Sequence, residues 1–136
     1  PGAAIITGRI SGTEIEAGCE VKVLFSDVMD PNAYFFTPVY WAVDRGITSG
    51  KTSTTFAPYD SCTRAQVMSF LYKAMGSPEV SGSNPFADVK ESDYFYMPVL
   101  WAVSQGITNG TTATTFSPYK TCTRAQVMTF LYKAMN

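Results

Sequence analysis

Histidine is absent from this chain of 136 residues, and most arrangements that perform acid–base, nucleophilic or zinc chemistry near neutral pH go with it. Charge is scarce as well: Asp, Glu, Lys and Arg make up 15% of the residues, against about a quarter in ordinary soluble domains. The net charge of −1 leaves no electrostatic footprint for nucleic acid or an anionic membrane. No apolar run reaches the length of a membrane span, so membrane insertion is not expected. Cysteine occurs only at Cys19, Cys62 and Cys122, in a spacing that fits no zinc pattern. A phosphate-cradling glycine loop and a carboxylate pair placed for acid–base work are also missing. Glu14, Glu16 and Glu20 read as a solvated face. These absences predict a chain that is not an enzyme, has no catalytic residues and takes neither metal nor cofactor. It starts at Pro1 without a signal peptide and reads as a processed or trimmed piece.

What is present is apolar and aromatic. Hydrophobic residues account for 46% and aromatics for 14%, enough for a packed interior under a surface of Thr, Ser, Asn and Tyr. The dominant feature is repetition. Residues 41–75 align without a gap on residues 101–135, agreeing at 26 of 35 positions. Upstream, Phe25-Ser-Asp-Val28 matches Phe86-Ala-Asp-Val89 at an offset of 61 rather than 60, so the first copy carries one extra residue between Met29 and Thr37. The stretch GSPEVSGSNP between the copies has linker chemistry. The organisation expected is therefore an N-terminal segment at 1–24, one module at 25–76, a linker at 77–85 and a second module at 86–136.

Each copy predicts helix, loop, helix. Pro38, Val39, Ala42 and Val43 have helical spacing and Gly46 stops the helix; Pro98, Val99, Ala102, Val103 and Gly106 repeat this. A polar loop follows around Phe56 and Phe116. Thr63-Arg-Ala-Gln66 and Thr123-Arg-Ala-Gln126 are capping boxes that open a second helix. That helix carries two apolar stripes, Val67, Phe70, Leu71 and Ala74 on one side and Met68, Tyr72 and Met75 on another. It should pack on two sides, with the second helices central and the first helices outside them. The fold class expected is mainly α. The segment from Ala3 to Ile10 and from Cys19 to Leu24 is β-prone around SGTEIEAG and predicts a short hairpin unlike anything in the repeats.

The string F-x-D-V, W-A-V-x-x-G-I-T-x-G, F-x-P and T-R-A-Q-V-x-x-F-L resembles the S-layer homology (SLH) family over residues 25–76 and 86–136. The resemblance implies an exported bacterial protein attached without covalent bonds to a secondary cell-wall polysaccharide, often one bearing pyruvylated sugar. Members usually have three modules in a pseudo-threefold spindle whose inter-module grooves take the glycan. In them the Arg of a T-R-A-E motif grips the acidic sugar, which carries over to Arg64 and Arg124. An Arg in the first turn of a helix sits beside free backbone amides and can hold a carboxylate at two points; the alternative is a solvated Arg, or one paired with Asp27 or Asp88. This chain has Gln66 and Gln126 where the family has Glu, and two modules rather than three. The missing module points to a homo-oligomer that completes the set, or to residues 1–24 standing in for it.

Other residues keep two readings. Trp41 and Trp101 lie about 200° round their helices from the Val stripe, so each either packs under the loop, the favoured reading, or offers a face to sugar. Gly50 and Gly110 either let backbone approach a ligand or simply form a tight turn. Asp27 and Asp88 are local caps, Arg partners or ligand contacts. Cys62 and Cys122 occupy equivalent repeat positions, which are normally well separated, so no bond between them is expected, while a bridge from Cys19 to either stays open.

Overall fold

A computed structural model of the protein describes residues 24–136; the expected hairpin and Cys19 lie outside the described residues. Four helices follow one another: α1 (Phe36–Asp44), α2 (Arg64–Ala74), α3 (Tyr96–Ser104) and α4 (Arg124–Met135). The described residues are mainly helical, and their only extended pairing is an isolated antiparallel bridge between Thr63 and Thr121. The chain forms two compact units, one ending at Asp60 and one starting at Ser61. That break falls inside the first sequence repeat.

The helix boundaries follow local chemistry. Both second helices begin one residue after a Thr cap. The Thr63 hydroxyl accepts from the Gln66 amide at 3.1 Å, and the Gln66 side-chain oxygen accepts from the Thr63 amide at 2.9 Å. Thr123 and Gln126 repeat the pair at 3.1 and 3.0 Å. Gln thus completes the box without the charge that Glu would bring. The first helices stop at Gly46 and Gly106, whose φ of 72° and 73° suit a residue without Cβ. The extra residue of the first copy is Met29. Ala33 N–H donates to Asp30 C=O as Asp93 N–H donates to Lys90 C=O, so the offset of 60 is already restored at Asp30.

In the first unit, Phe25, Val28 and Val39 form the core, covered by Phe35, Phe36, Tyr40, Val43 and Phe56. In the second unit, α2 packs against α3 and α4. Its core joins Ala65, Val67 and Met68 of α2 to Val99, Trp101 and Ala102 of α3, with Phe86, Phe116 and Phe130 around them. Helix α2 is packed on two sides, as expected of a second helix, whereas α4, with the same two stripes, is not. Helix α3, a first helix, is equally deep, with Pro98 through Ala102 all buried. Helix α4 differs from its twin α2: only Phe130 is buried, and Met128, Leu131, Tyr132 and Met135 face solvent.

The two copies tie down the same backbone groups with different side chains. In the first, the Tyr40 hydroxyl accepts from Phe25 N–H at 2.9 Å and donates to Val28 C=O at 2.9 Å. The second copy has Leu100 at the Tyr40 position, and Asn84 takes over. Its side-chain oxygen accepts from Phe86 N–H at 2.9 Å, and its amide donates to Val89 C=O at 2.6 Å. An unpaired amide and carbonyl next to a buried Phe would be costly. Tyr40→Phe and Asn84→Ala are each expected to cost about 1–3 kcal/mol, read from the denaturant midpoint. A shift no larger than that of a surface substitution would contradict this account.

Candidate functional site

The residues with chemistry gather around the F-x-P loop of each copy. Asp27 clamps this loop in the first copy: Phe56 N–H donates to one carboxylate oxygen at 2.9 Å and Ala57 N–H to the other at 2.8 Å. Asp88 does the same for Phe116 and Ser117, each at 2.8 Å. Asp27 and Asp88 are thus caps on loop amides. The clamp holds an unusual backbone. Ala57 and Ser117 both sit at φ 60° although neither is glycine and each precedes a proline. A left-handed residue with a Cβ costs roughly 1–2 kcal/mol, and two charge-assisted hydrogen bonds to one carboxylate offset it. Sequence reasoning missed these two positions; their signal is a small residue between an aromatic and Pro.

Gly50 and Gly110 lie beneath the same loops. Their φ values are 96° and 88°, and a Cβ at either would come within 2.5 Å of the Phe25 or Phe86 ring. Thr48 and Thr108 close the preceding turn, each hydroxyl accepting from the following glycine's amide at 3.1 Å. Glycine at these points therefore lets the loop lie on the Phe of F-x-D-V.

Arg64 is the most distinctive side chain. It is 3% exposed, with its guanidinium 4.6 Å from the Phe116 ring centroid and 5.5 Å from that of Phe130. Its Nε donates to Phe116 C=O at 2.8 Å, and its Nη2 has no hydrogen-bond partner among the described residues. Burial pulls this guanidinium below its ordinary pKa, while nearby Cys122 and Asp88 act in the opposite sense; an Arg stays protonated regardless. Around it, backbone pairs strap α2 to the second copy. Arg64 N–H donates to Lys120 C=O and Ala65 N–H to Pro118 C=O, both at 2.9 Å, and Cys122 N–H donates to Cys62 C=O at 3.0 Å.

The two cysteines therefore meet, contrary to the expectation that equivalent repeat positions stay apart. The cause is that α2 docks on the other copy's loop, so repeat equivalents face each other across a local antiparallel crossing. Both thiols are free. Burial raises the Cys62 thiol; burial also raises that of Cys122, which Arg64 partly counters.

Arg124, the twin of Arg64, is exposed. The tryptophans also part company. Trp101 is buried edge-on against Tyr72, with ring centroids 5.7 Å apart. Trp41 is half in solvent, with the Arg45 guanidinium over its ring at 5.1 Å. Among the residues singled out from sequence, the second unit brings together Arg64, Asp88, Trp101 and Gly110, while Arg124 stands on its surface. Asp27, Trp41 and Gly50 belong to the first unit.

The profile of the S-layer homology domain matches residues 25–68 and 85–128. Three proteins illustrate the similarity. An endoglucanase of Bacillus sp. (strain KSM-635) is 32% identical over 110 residues, which are 81% of this chain and 11% of that protein. A surface-layer 125 kDa protein of Lysinibacillus sphaericus is 32% identical over 92 residues, 68% of this chain and 8% of that protein. The exoglucanase XynX of Acetivibrio thermocellus is 28% identical over 109 residues, 80% of this chain and 9% of the enzyme. The chain thus spans only about a tenth of the length of these relatives.

The clamp on the first loop should be acid-sensitive. Burial alone would raise the Asp27 carboxyl, but its hydrogen bonds to Phe56, Ala57 and its own amide hold it below the ordinary 3.8. A lowered carboxylate contributes stability above its unfolded pKa, and that contribution disappears as pH falls through the folded value. The amide resonances of Phe56 and Ala57 are expected to titrate together with a midpoint below 3.8, and Asp27→Asn should abolish that titration. A midpoint at or above the ordinary value would refute the clamp.

Proposed function

Because the chain belongs to the S-layer homology domain family, we propose that it anchors a protein at the bacterial cell surface by binding an anionic, pyruvylated secondary cell-wall polysaccharide. The observation that supports this most directly is a duplicated Arg at the first residue of a Thr/Gln-boxed helix, Arg64 and Arg124. At Arg124 a guanidinium beside the first amides of α4 suits a carboxylate-bearing sugar, since the fork gives two parallel hydrogen bonds and the amides add further donors. At Arg64 the corresponding amides are taken by the Lys120 and Pro118 carbonyls, and the guanidinium alone is left to donate.

The two Arg residues take different parts in this reading. Arg124 is exposed and engages the polymer directly. Arg64 stands in the seam between α2 and the second copy, with its unpartnered Nη2 as the donor for a sugar carboxylate that enters the seam. Trp41, half in solvent with Arg45 over one face of its ring, is the better placed tryptophan for stacking on a sugar ring with the other face; Trp101 supports the seam from within the core. Asp27, Asp88, Gly50 and Gly110 shape the loops that border the ligand. The low charge and the many Thr, Ser and Tyr side chains fit a carbohydrate partner better than nucleic acid. Catalysis has no part in this reading, and no helix among the described residues is long and apolar enough to cross a membrane. Export to the wall and the module boundaries at 25–76 and 86–136 belong to the same proposal.

A second reading, an assembly module that pairs with further copies, draws support from the apolar side chains that α4 leaves in solvent.

The test is co-sedimentation with purified cell wall. The chain should pellet with intact wall and remain in solution once the secondary polymer has been extracted. Arg124→Ala is expected to weaken binding at least about tenfold without loss of helicity, and Arg64→Ala with Arg124→Ala should abolish it. Equal pelleting by the wild type and the double variant would reject the assigned role of the arginines.

A further inference from the structure

Within the second unit, one helix of the first repeat is covered by the second repeat, and the structure therefore contains a worked example of how these repeats join. Two surfaces make the joint. One is the α2 face of Arg64, Ala65, Met68, Leu71 and Tyr72. The other is built from α3 and the loop after it, chiefly Phe95, Trp101, Ala102 and Phe116. Both surfaces exist twice in the sequence, at an offset of 60.

The second examples are open. Met68 is 0% exposed, whereas its twin Met128 is 58% exposed; the exposed Tyr132 (69%) copies the Tyr72 that packs on Trp101. Arg124 and Ala125 are exposed where Arg64 and Ala65 are buried. On the other side, Trp101 is 5% exposed and Trp41 51%. Phe35, Ala42, Phe56 and Pro58 are partly open where Phe95, Ala102, Phe116 and Pro118 are buried. The match is close in sequence as well. Helices α2 and α4 differ only at Ser69/Thr129 over their shared length, and α1 and α3 share Pro, Val, Trp, Ala and Val at the same positions. The residues of the α2–α3 joint are thus more buried than their copies in the other repeat.

We propose that a second copy of this chain covers these surfaces, with α4 of one molecule docking on α1 and the Phe56 loop of the next in the geometry that α2 adopts on α3 and the Phe116 loop. Tyr132 then packs edge-on against Trp41 as Tyr72 does against Trp101. Arg124 stacks on Phe56 and donates through Nε to the Phe56 carbonyl. The amides of Arg124 and Ala125 reach the carbonyls of Asp60 and Pro58, the equivalents of Lys120 and Pro118. The contact is head-to-tail, because the two surfaces are different and each molecule offers one of each. It deepens the assembly reading above and needs no glycan, so its failure leaves wall binding untouched.

Light scattering coupled to size-exclusion chromatography, on purified chain without polysaccharide, tests it. The mass of the wild type should rise with concentration. Trp41→Glu blocks the receiving surface and Met128→Glu the docking one. Both side chains are largely in solvent, so each variant should keep its circular dichroism spectrum while self-association weakens at least about 100-fold. An equimolar mixture should restore a 1:1 heterodimer, because the first variant keeps an intact α4 and the second an intact α1. Tyr132→Ala, which adds no charge, should weaken association about tenfold. A wild type that remains monomeric at the highest concentration reached overturns the proposal. So do single variants that associate like the wild type, or a mixture of two monomeric variants that fails to pair.

Discussion

The arrangement of the second unit depends on a positive charge, Arg64, buried with no carboxylate bonded to it among the described residues. Taking a guanidinium out of water costs several kcal/mol, and among the described residues no ion pair compensates Arg64. Two aromatic faces and one carbonyl do so instead, with cation–π contacts that strengthen as water is excluded. All three come from the second repeat, so the charge is tolerable only when α2 is seated there. A side chain that is expensive in every other position thereby fixes the register of α2 on its neighbour. The three backbone hydrogen bonds that flank it make the docking directional rather than merely apolar.

The F-x-P loop that receives Arg64 is itself held under strain. Phe116 presents its carbonyl and ring because Ser117 takes a left-handed conformation, and Ser117 does so because Asp88 accepts from both loop amides. The F-x-D-V turn, the loop and the Arg are therefore links in one chain of dependence. The first copy repeats the Asp clamp with Asp27, but its Phe56 is only half-buried. Conserving the clamp while changing the groups behind it, Tyr40 in one copy and Asn84 in the other, indicates that the requirement is to satisfy two backbone groups, not to keep a particular side chain.

For a surface anchor this construction has a consequence. The same residue type stands in two situations at the two repeat positions: Arg64 is buried in the joint between α2 and the second copy, and Arg124 is exposed. How many of these arginines remain exposed therefore depends on how many such joints are made.

Local features were legible in the sequence wherever one short segment determined them. The repeat, the Thr/Gln boxes and the glycine stops at Gly46 and Gly106 all lie within a few residues of sequence, and reading the chain was sufficient for them. The family followed from the same motifs. The pairs Arg64 and Arg124, Trp41 and Trp101, and Met68 and Met128 could not be separated that way, because each pair has the same local sequence and differs only in what lies against it. The meeting of Cys62 with Cys122 was hidden for the same reason, since repeat-equivalent residues touch only once α2 is known to dock on the other copy. Sequence determined what each module is made of. Tertiary structure alone decided which copy of each surface is buried, because burial is a property of neighbours and identical segments cannot encode different neighbours.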